Sequence, residues 1–159
     1  MASTVTVNLG FPVIEPKELG INSRRDNFIE GEIDLLGEHG KVSCVGFEWT
    51  HCIFYVADVN RFDVERVGEA ISDVEIFPDD IETDFTQSVD NETLAVRSWH
   101  GGRETHRGVY AAAAAFAVAR VQGLCGNECK VCLENGDVTA WWTDSGINIT
   151  GPLELVYAL

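Results

Sequence analysis

The stretch Val109 to Ala119 places the tightest limit on what this chain can fold into. Ala111 to Ala115, Phe116, Val118, Ala119 and Val121 predict a helix over 104–122 with almost no polar face. A helix that is apolar nearly all round has no side to show to water, so it must be buried. The run is roughly half the length a membrane-spanning helix needs. It must therefore be wrapped by the rest of the chain, with Gly123 as the expected C-terminal cap.

The wrapping material reads as β. Thr4 to Asn8 alternates, and Val42 to Phe47 and His51 to Val56 are β-branched and aromatic runs. Asp84 to Val89 and Thr93 to Trp99 read as strands around an Asp90-Asn91 turn. Lys130 to Leu133 and Val138 to Trp142 read as a hairpin around Asn135-Gly136, a two-residue turn signal. Ile147 to Ile149 and Leu153 to Tyr157 are predicted to close the chain as strands. Residues 21–40 read as strands and loops without clear bounds. Asp63 is a candidate N-cap for a second helix, with Val64, Val67, Ala70 and Ile71 at helical spacing. The expected fold class is α+β: a mostly antiparallel sheet around one buried central helix, with a second helix outside. The chain of 159 residues suits a single domain over 1–159, and a chain of that size buries roughly 70% of its unfolded surface.

Charge narrows the function classes. There are 26 acidic and 11 basic residues, a net charge of −15. Such a chain repels phosphates, so direct nucleic-acid or anionic-membrane binding is not expected. Twelve carboxylates and only two arginines, Arg61 and Arg66, lie between Asp58 and Glu92. That stretch has two readings. One is a solvated face or an adaptation to high salt. The other is a decoy that occupies the basic nucleic-acid groove of a partner, a basic protein or nucleoprotein complex. On the second reading, Asp73, Glu75, Asp79, Asp80, Glu82 and Asp84 are the candidate partner-binding residues.

Other constellations carry less. Cys125, Cys129 and Cys132 have the spacing of an iron–sulfur motif. Cys129 and Cys132 fall in a strand, however, where they would face opposite sides. With Cys44 and Cys52 the count is five, and the start of the chain lacks the pattern of an export signal, so reduced thiols and a cytoplasmic protein are expected. His39, His51, His100 and His106 show no metal-ligand spacing, so neither metal nor cofactor is expected. His51 and Cys52 are strand neighbours and would point apart. The loop from His100 to Arg107, with two glycines and two arginines, is a candidate small-anion site that lacks a phosphate-loop ending.

Several segments, in order, resemble diaminopimelate epimerase, in particular the C-terminal of its two lobes. They are Thr4 to Pro12, Thr50 to Ile53 followed by Tyr55 to Val59, Val96 to Trp99, Glu104-Thr105 before the Ala-rich helix, Glu134 to Asp137, and Ile149 to Pro152. The resemblance implies a cofactor-free epimerase that inverts a stereocentre with two cysteines, one from each lobe, acting from opposite faces. Against that pattern, Gly108 stands where the second-lobe thiol belongs, and Val109, Tyr110 and Ala111 replace a Gly-Thr-Gly run. His100-Gly101 replaces a Glu-Arg pair, Glu48-Trp49-Thr50 replaces Gly-Asn-Pro, and Glu82 and Asp84 stand near family asparagines. The chain has room for one lobe.

These departures lead to the expectation of a non-enzyme: an acidic binding protein and inhibitor of the DNA-mimic, anti-CRISPR-like kind, in the host cytoplasm if phage-encoded. The alternative is an amino-acid epimerase- or racemase-like, or metabolite-binding, protein that rebuilds an interlobe cleft as a homodimer. A third reading is an oligomerisation domain with Trp49, Tyr110 and Trp141 on an exposed apolar face.

Overall fold

The computed structural model describes residues 3–106 and 108–157. The apolar helix spans Val109–Val121 (α3), and every residue from Val109 to Ala119 except Tyr110 is buried. Its alanines keep it slim, so surrounding strands approach closely. Larger side chains there would cost about 1–3 kcal/mol by overpacking. Phe116, fully buried, fills the largest share of the space around it.

The rest of the chain supplies β1 (Thr4–Gly10), the one-turn α1 (Pro16–Leu19), β2 (Phe28–Leu35), β3 (Glu38–Gly46), β4 (Thr50–Tyr55), α2 (Val64–Ser72), β5 (Glu82–Asp90), β6 (Thr93–His100) and β7 (Arg103–Thr105) before α3. After it come β8 (Glu128–Leu133), β9 (Gly136–Thr143), β10 (Gly146–Pro152) and α4 (Leu153–Val156). Ten strands form one sheet in the order β1-β10-β9-β8-β6-β5-β4-β3-β2, with β7 hydrogen-bonded to β6 alongside. Two pairs are parallel, β4 with β5 and β6 with β8. Each needs a crossover, and α2 and α3 are those crossovers. Just past β1, Val13 exchanges two backbone hydrogen bonds of 2.8 Å with Gly46 of β3, so the two ends of the sheet curl towards each other around α3. This is the α+β lobe that the resemblance implies.

Strand alternation sorts the side chains onto two cores. Val45, Ile53, Leu94, Val96, Val131, Ala140 and Ile149 face α3. Cys44, Cys52, Phe85 and Trp99 face the other way, with Val64, Val67 and Ile71 of α2. The Asp63 side chain accepts from Arg66 N at 3.2 Å, the predicted N-cap. Gly68 lets α2 lie flat on the Trp99 indole: a Cβ there would meet the ring at 2.4 Å.

The structure corrects four local expectations. Residues 103–105 are strand, not helix, because Gly101 and Gly102, at φ +65 and +82, fold the chain back onto β6 and delay α3 to Val109. Leu153 onward is helix, not strand, because the chain turns at Pro152 and Leu153 N bonds to Ser3 O. The two hairpin turns are each displaced by one residue, to Asn91-Glu92 and Glu134-Asn135, as the pairs Asp90↔Thr93 and Leu133↔Gly136 require.

Candidate functional site

The starts of β4 and β5 and the end of β6 meet in front of the first turn of α3. Parallel register sets His51 beside Glu82, and antiparallel register sets Asp84 beside Ser98. All four side chains face the α3 side of the sheet and are 0–4% exposed. His51 Nδ1 lies 2.7 Å from Asp84 Oδ2 and 3.1 Å from Glu82 Oε2. Ser98 Oγ donates to Asp84 Oδ1 at 2.7 Å, and Trp49 Nε1 donates to Glu82 Oε1 at 3.3 Å. His51 Nε2 and Glu82 Oε2 have no hydrogen-bond partner.

Aromatic rings cover this cluster. Trp49 stacks on His51 at 5.7 Å between centroids and on His100 at 5.3 Å, and it meets Tyr110 edge-on at 5.5 Å. Tyr110 OH donates to Glu48 Oε1 at 3.2 Å. His100 is the half-buried imidazole at the rim. Its Nε2 lies 2.9 Å from the Asp80 carbonyl and its Nδ1 3.9 Å from Glu82 Oε1. A carbonyl only accepts, so Nε2–H is the donor. In the neutral ring the lone pair is then on Nδ1, facing Glu82.

Buried carboxylates without compensation are costly, and the cluster shows how the cost is met. Burial alone would lower the His51 pKa, but Asp84 and Glu82 outweigh it and push it up to about 10. For Glu82, burial and then the Asp84 charge raise the carboxyl to about 8, against the pull of His51. Burial acts the same way on Asp84, yet His51, Glu82 and Ser98 together hold it below its ordinary value. These shifts favour a protonated His51 paired with an ionised Asp84, and a Glu82 carboxyl that holds its proton more tightly than an exposed one does.

Each predicted site residue can now be placed. Asp73, Glu75, Asp79 and Asp80 are exposed. Glu82 and Asp84 are not: they are buried beside His51, so they cannot present charge to a protein partner. His106 is drawn to Glu134 at 2.8 Å and His39 to Asp34 at 3.0 Å, so neither joins His100. His51 and Cys52 point apart as expected, Cys52 lying across from Cys44 on the α2 side. Cys129 is buried against α3, while Cys132 lines a separate groove of about 570 Å³ with Arg97, Glu104 and His106. Among the described residues, one group of three potential metal ligands converges, His51, Glu82 and Asp84, and none is formed by the cysteines. The candidate anion loop is a tight turn between β6 and β7, and its Arg107 lies outside the described residues. Trp49 and Tyr110 are in contact, but Trp141 sits on β9 across from Glu128 and Asn148.

At Gly108, the N-cap of α3, a Cβ would meet Leu133 Cδ1 at 2.5 Å, so a side chain there needs the end of Leu133 to turn aside. Sequence reasoning missed the buried cluster because His51 and Glu82 are joined only through sheet register. One signal was available: Glu82 and Asp84 alternate with Ile81, Thr83 and Phe85, which puts both carboxylates on one face of a strand.

No family model matches the chain. Individual relatives do. It is 29% identical over 159 residues to the diaminopimelate epimerase of Acetivibrio thermocellus, covering 98% of this chain and 57% of that protein. It is 28% identical over 156 residues to that of Desulforapulum autotrophicum, covering 96% and 55%. It is 30% identical over 158 residues to that of Rippkaea orientalis, covering 96% and 56%. The chain thus spans about half the length of the curated relatives it matches. These relatives bear the name of an enzyme, which overturns the expectation of a non-enzyme drawn from Gly108 and the charge. Nothing in the comparisons supports an inhibitor of nucleic-acid-guided defence. Among the described residues, no helix is long and apolar enough to cross a membrane.

Proposed function

We propose that the chain acts on the α-carbon of an amino acid, as one half of an epimerase- or racemase-like cleft that two copies complete, in the cytoplasm. What supports the reading is the similarity to named epimerases over 96–98% of the chain, joined to a half-buried imidazole at the rim of the cluster.

The chemistry follows from that imidazole. An α-proton is removed only by a base with a free lone pair; in the neutral ring the Asp80 carbonyl leaves that lone pair on His100 Nδ1, 3.9 Å from Glu82 Oε1, and the substrate has to reach it between the two. Trp49, stacked against His100, limits the ring's rotation. Inversion needs a second group on the opposite face of the substrate. One lobe cannot place both, so the partner copy supplies the other. With Gly108 in the thiol position, His100 takes the proton-transfer role on this side.

The test is solvent-deuterium incorporation at the α-carbon, followed by mass spectrometry across a panel of amino acids that includes diaminopimelate. Exchange that His100→Ala abolishes and His39→Ala leaves intact is the expected result. Saturable binding without exchange would leave the metabolite-binding reading. Neither binding nor exchange would refute both.

A further inference from the structure

Beyond any turnover, we propose that His51, Asp84 and Glu82 form a binding site for a single divalent transition-metal ion of the zinc type. The geometry points to it through the outer partners of the two carboxylates. Ser98 Oγ holds Asp84 Oδ1 and Trp49 Nε1 holds Glu82 Oε1. The second oxygen of each carboxylate is thereby turned towards His51 Nδ1, at 2.7 and 3.1 Å. Three donor atoms converge on one point, all within 4.8 Å of one another. Neighbouring ligands of a tetrahedral ion with bonds of about 2.0–2.2 Å lie about 3.3–3.6 Å apart, so the group has to open by less than about 1 Å from its hydrogen-bonded spacing to take the ion.

The donors have been taken out of water without being fully satisfied. Glu82 Oε2 is buried at the centre of the group, with His51 Nδ1 at 3.1 Å as its neighbour and no aligned hydrogen bond of its own. A hydroxyl and an indole that orient ligating carboxylates are the outer-shell arrangement metal sites use. One imidazole nitrogen with two carboxylate oxygens favours zinc, manganese or iron over magnesium or calcium, which prefer oxygen alone. The two carboxylates offset the charge of the dication.

The experiment reads metal and not activity, so it stands or falls apart from the epimerase reading. The full chain is stripped with a chelator and titrated with Zn²⁺ against a chromophoric competitor, with Mg²⁺ as the control ion. Expected are one zinc per chain, negligible competition by magnesium, and a visible d–d band on Co²⁺ substitution. Glu82→Gln should abolish the tight site, and Ser98→Ala should weaken it by about 10–100-fold. His39→Ala should leave it unchanged, because His39 belongs to an exposed group with Glu32 and Asp34. Substoichiometric zinc, or a site lost in His39→Ala and kept in Ser98→Ala, would overturn the proposal. Should Glu82→Gln not fold, the Ser98→Ala affinity and the cobalt spectrum decide.

Discussion

Two residues at the end of β6 show the two ways this chain handles charge. His100 stands at the rim of a cluster that is taken out of water. Arg97, one strand face away, keeps its charge at the surface and uses it. Its Nε and Nη2 donate to the two oxygens of Glu104 at 2.8 and 2.7 Å, and Nη1 donates to Val59 O at 2.8 Å. The pair ties β7 and the turn after β4 to the sheet, and so fixes the approach to Gly108. The bidentate bond from Arg97 holds the Glu104 carboxylate below its ordinary value. A carboxylate lowered on folding contributes stability that is present above the unfolded value near 4.5 and is lost as pH falls through the folded one. The pair is about one-quarter exposed, so solvent screening limits it to about 1 kcal/mol. Glu104→Gln should therefore lose about that much in urea melts at pH 7, and wild type and variant should converge as pH falls through the lowered Glu104 titration. A gap that persists at the acid end would mean the side chain acts through packing.

At the level of elements, periodicity and capping were legible and the long-range register was not. The buried helix, its capping glycine and the Asp63 cap follow from periodicity and short-range chemistry, which the sequence carries directly. The order of strands does not, because Val13 meeting Gly46 and His51 meeting Glu82 are decided by register across the sheet. The same limit explains why Glu82 and Asp84 read as surface carboxylates: an acidic run hides which of its members alternation turns inward. The β2–β3 hairpin shows a joint that departs from the usual turn chemistry. Leu36 and Gly37 form its two-residue turn at φ +51 and +81. A left-handed leucine costs about 1 kcal/mol relative to asparagine or glycine, and Leu36, half exposed, recovers little by burial. Leu36→Asn creates the favoured Asn-Gly pair. It should raise the melting temperature by about 2–4 °C for a chain of this size, read by differential scanning calorimetry. No rise would mean that Leu36 is held by contacts with the α2 side of the hairpin groove, which it lines with Val74 and Ile76.

For the whole molecule, the charge of −15 decides what a second copy must overcome. Glu48, Asp79 and Asp80 are exposed around the mouth of the site, so two copies facing each other there bring like charges together. Repulsion of this kind is long-ranged at low salt, where the Debye length is about 30 Å at 0.01 M, and nearly gone at about 1 M, where it is about 3 Å. Self-association through this face must then strengthen as salt is raised. Binding of a basic protein would do the reverse, because its attraction is screened by the same ions. Sedimentation equilibrium across that salt range therefore separates the two occupants by sign alone. A dimer constant that rises with salt, together with deuterium exchange per chain that rises with protein concentration, is the outcome expected of a cleft built from two copies. A chain that stays monomeric at high salt and high concentration leaves His100 without an opposing group, and inversion by this lobe pair is then excluded.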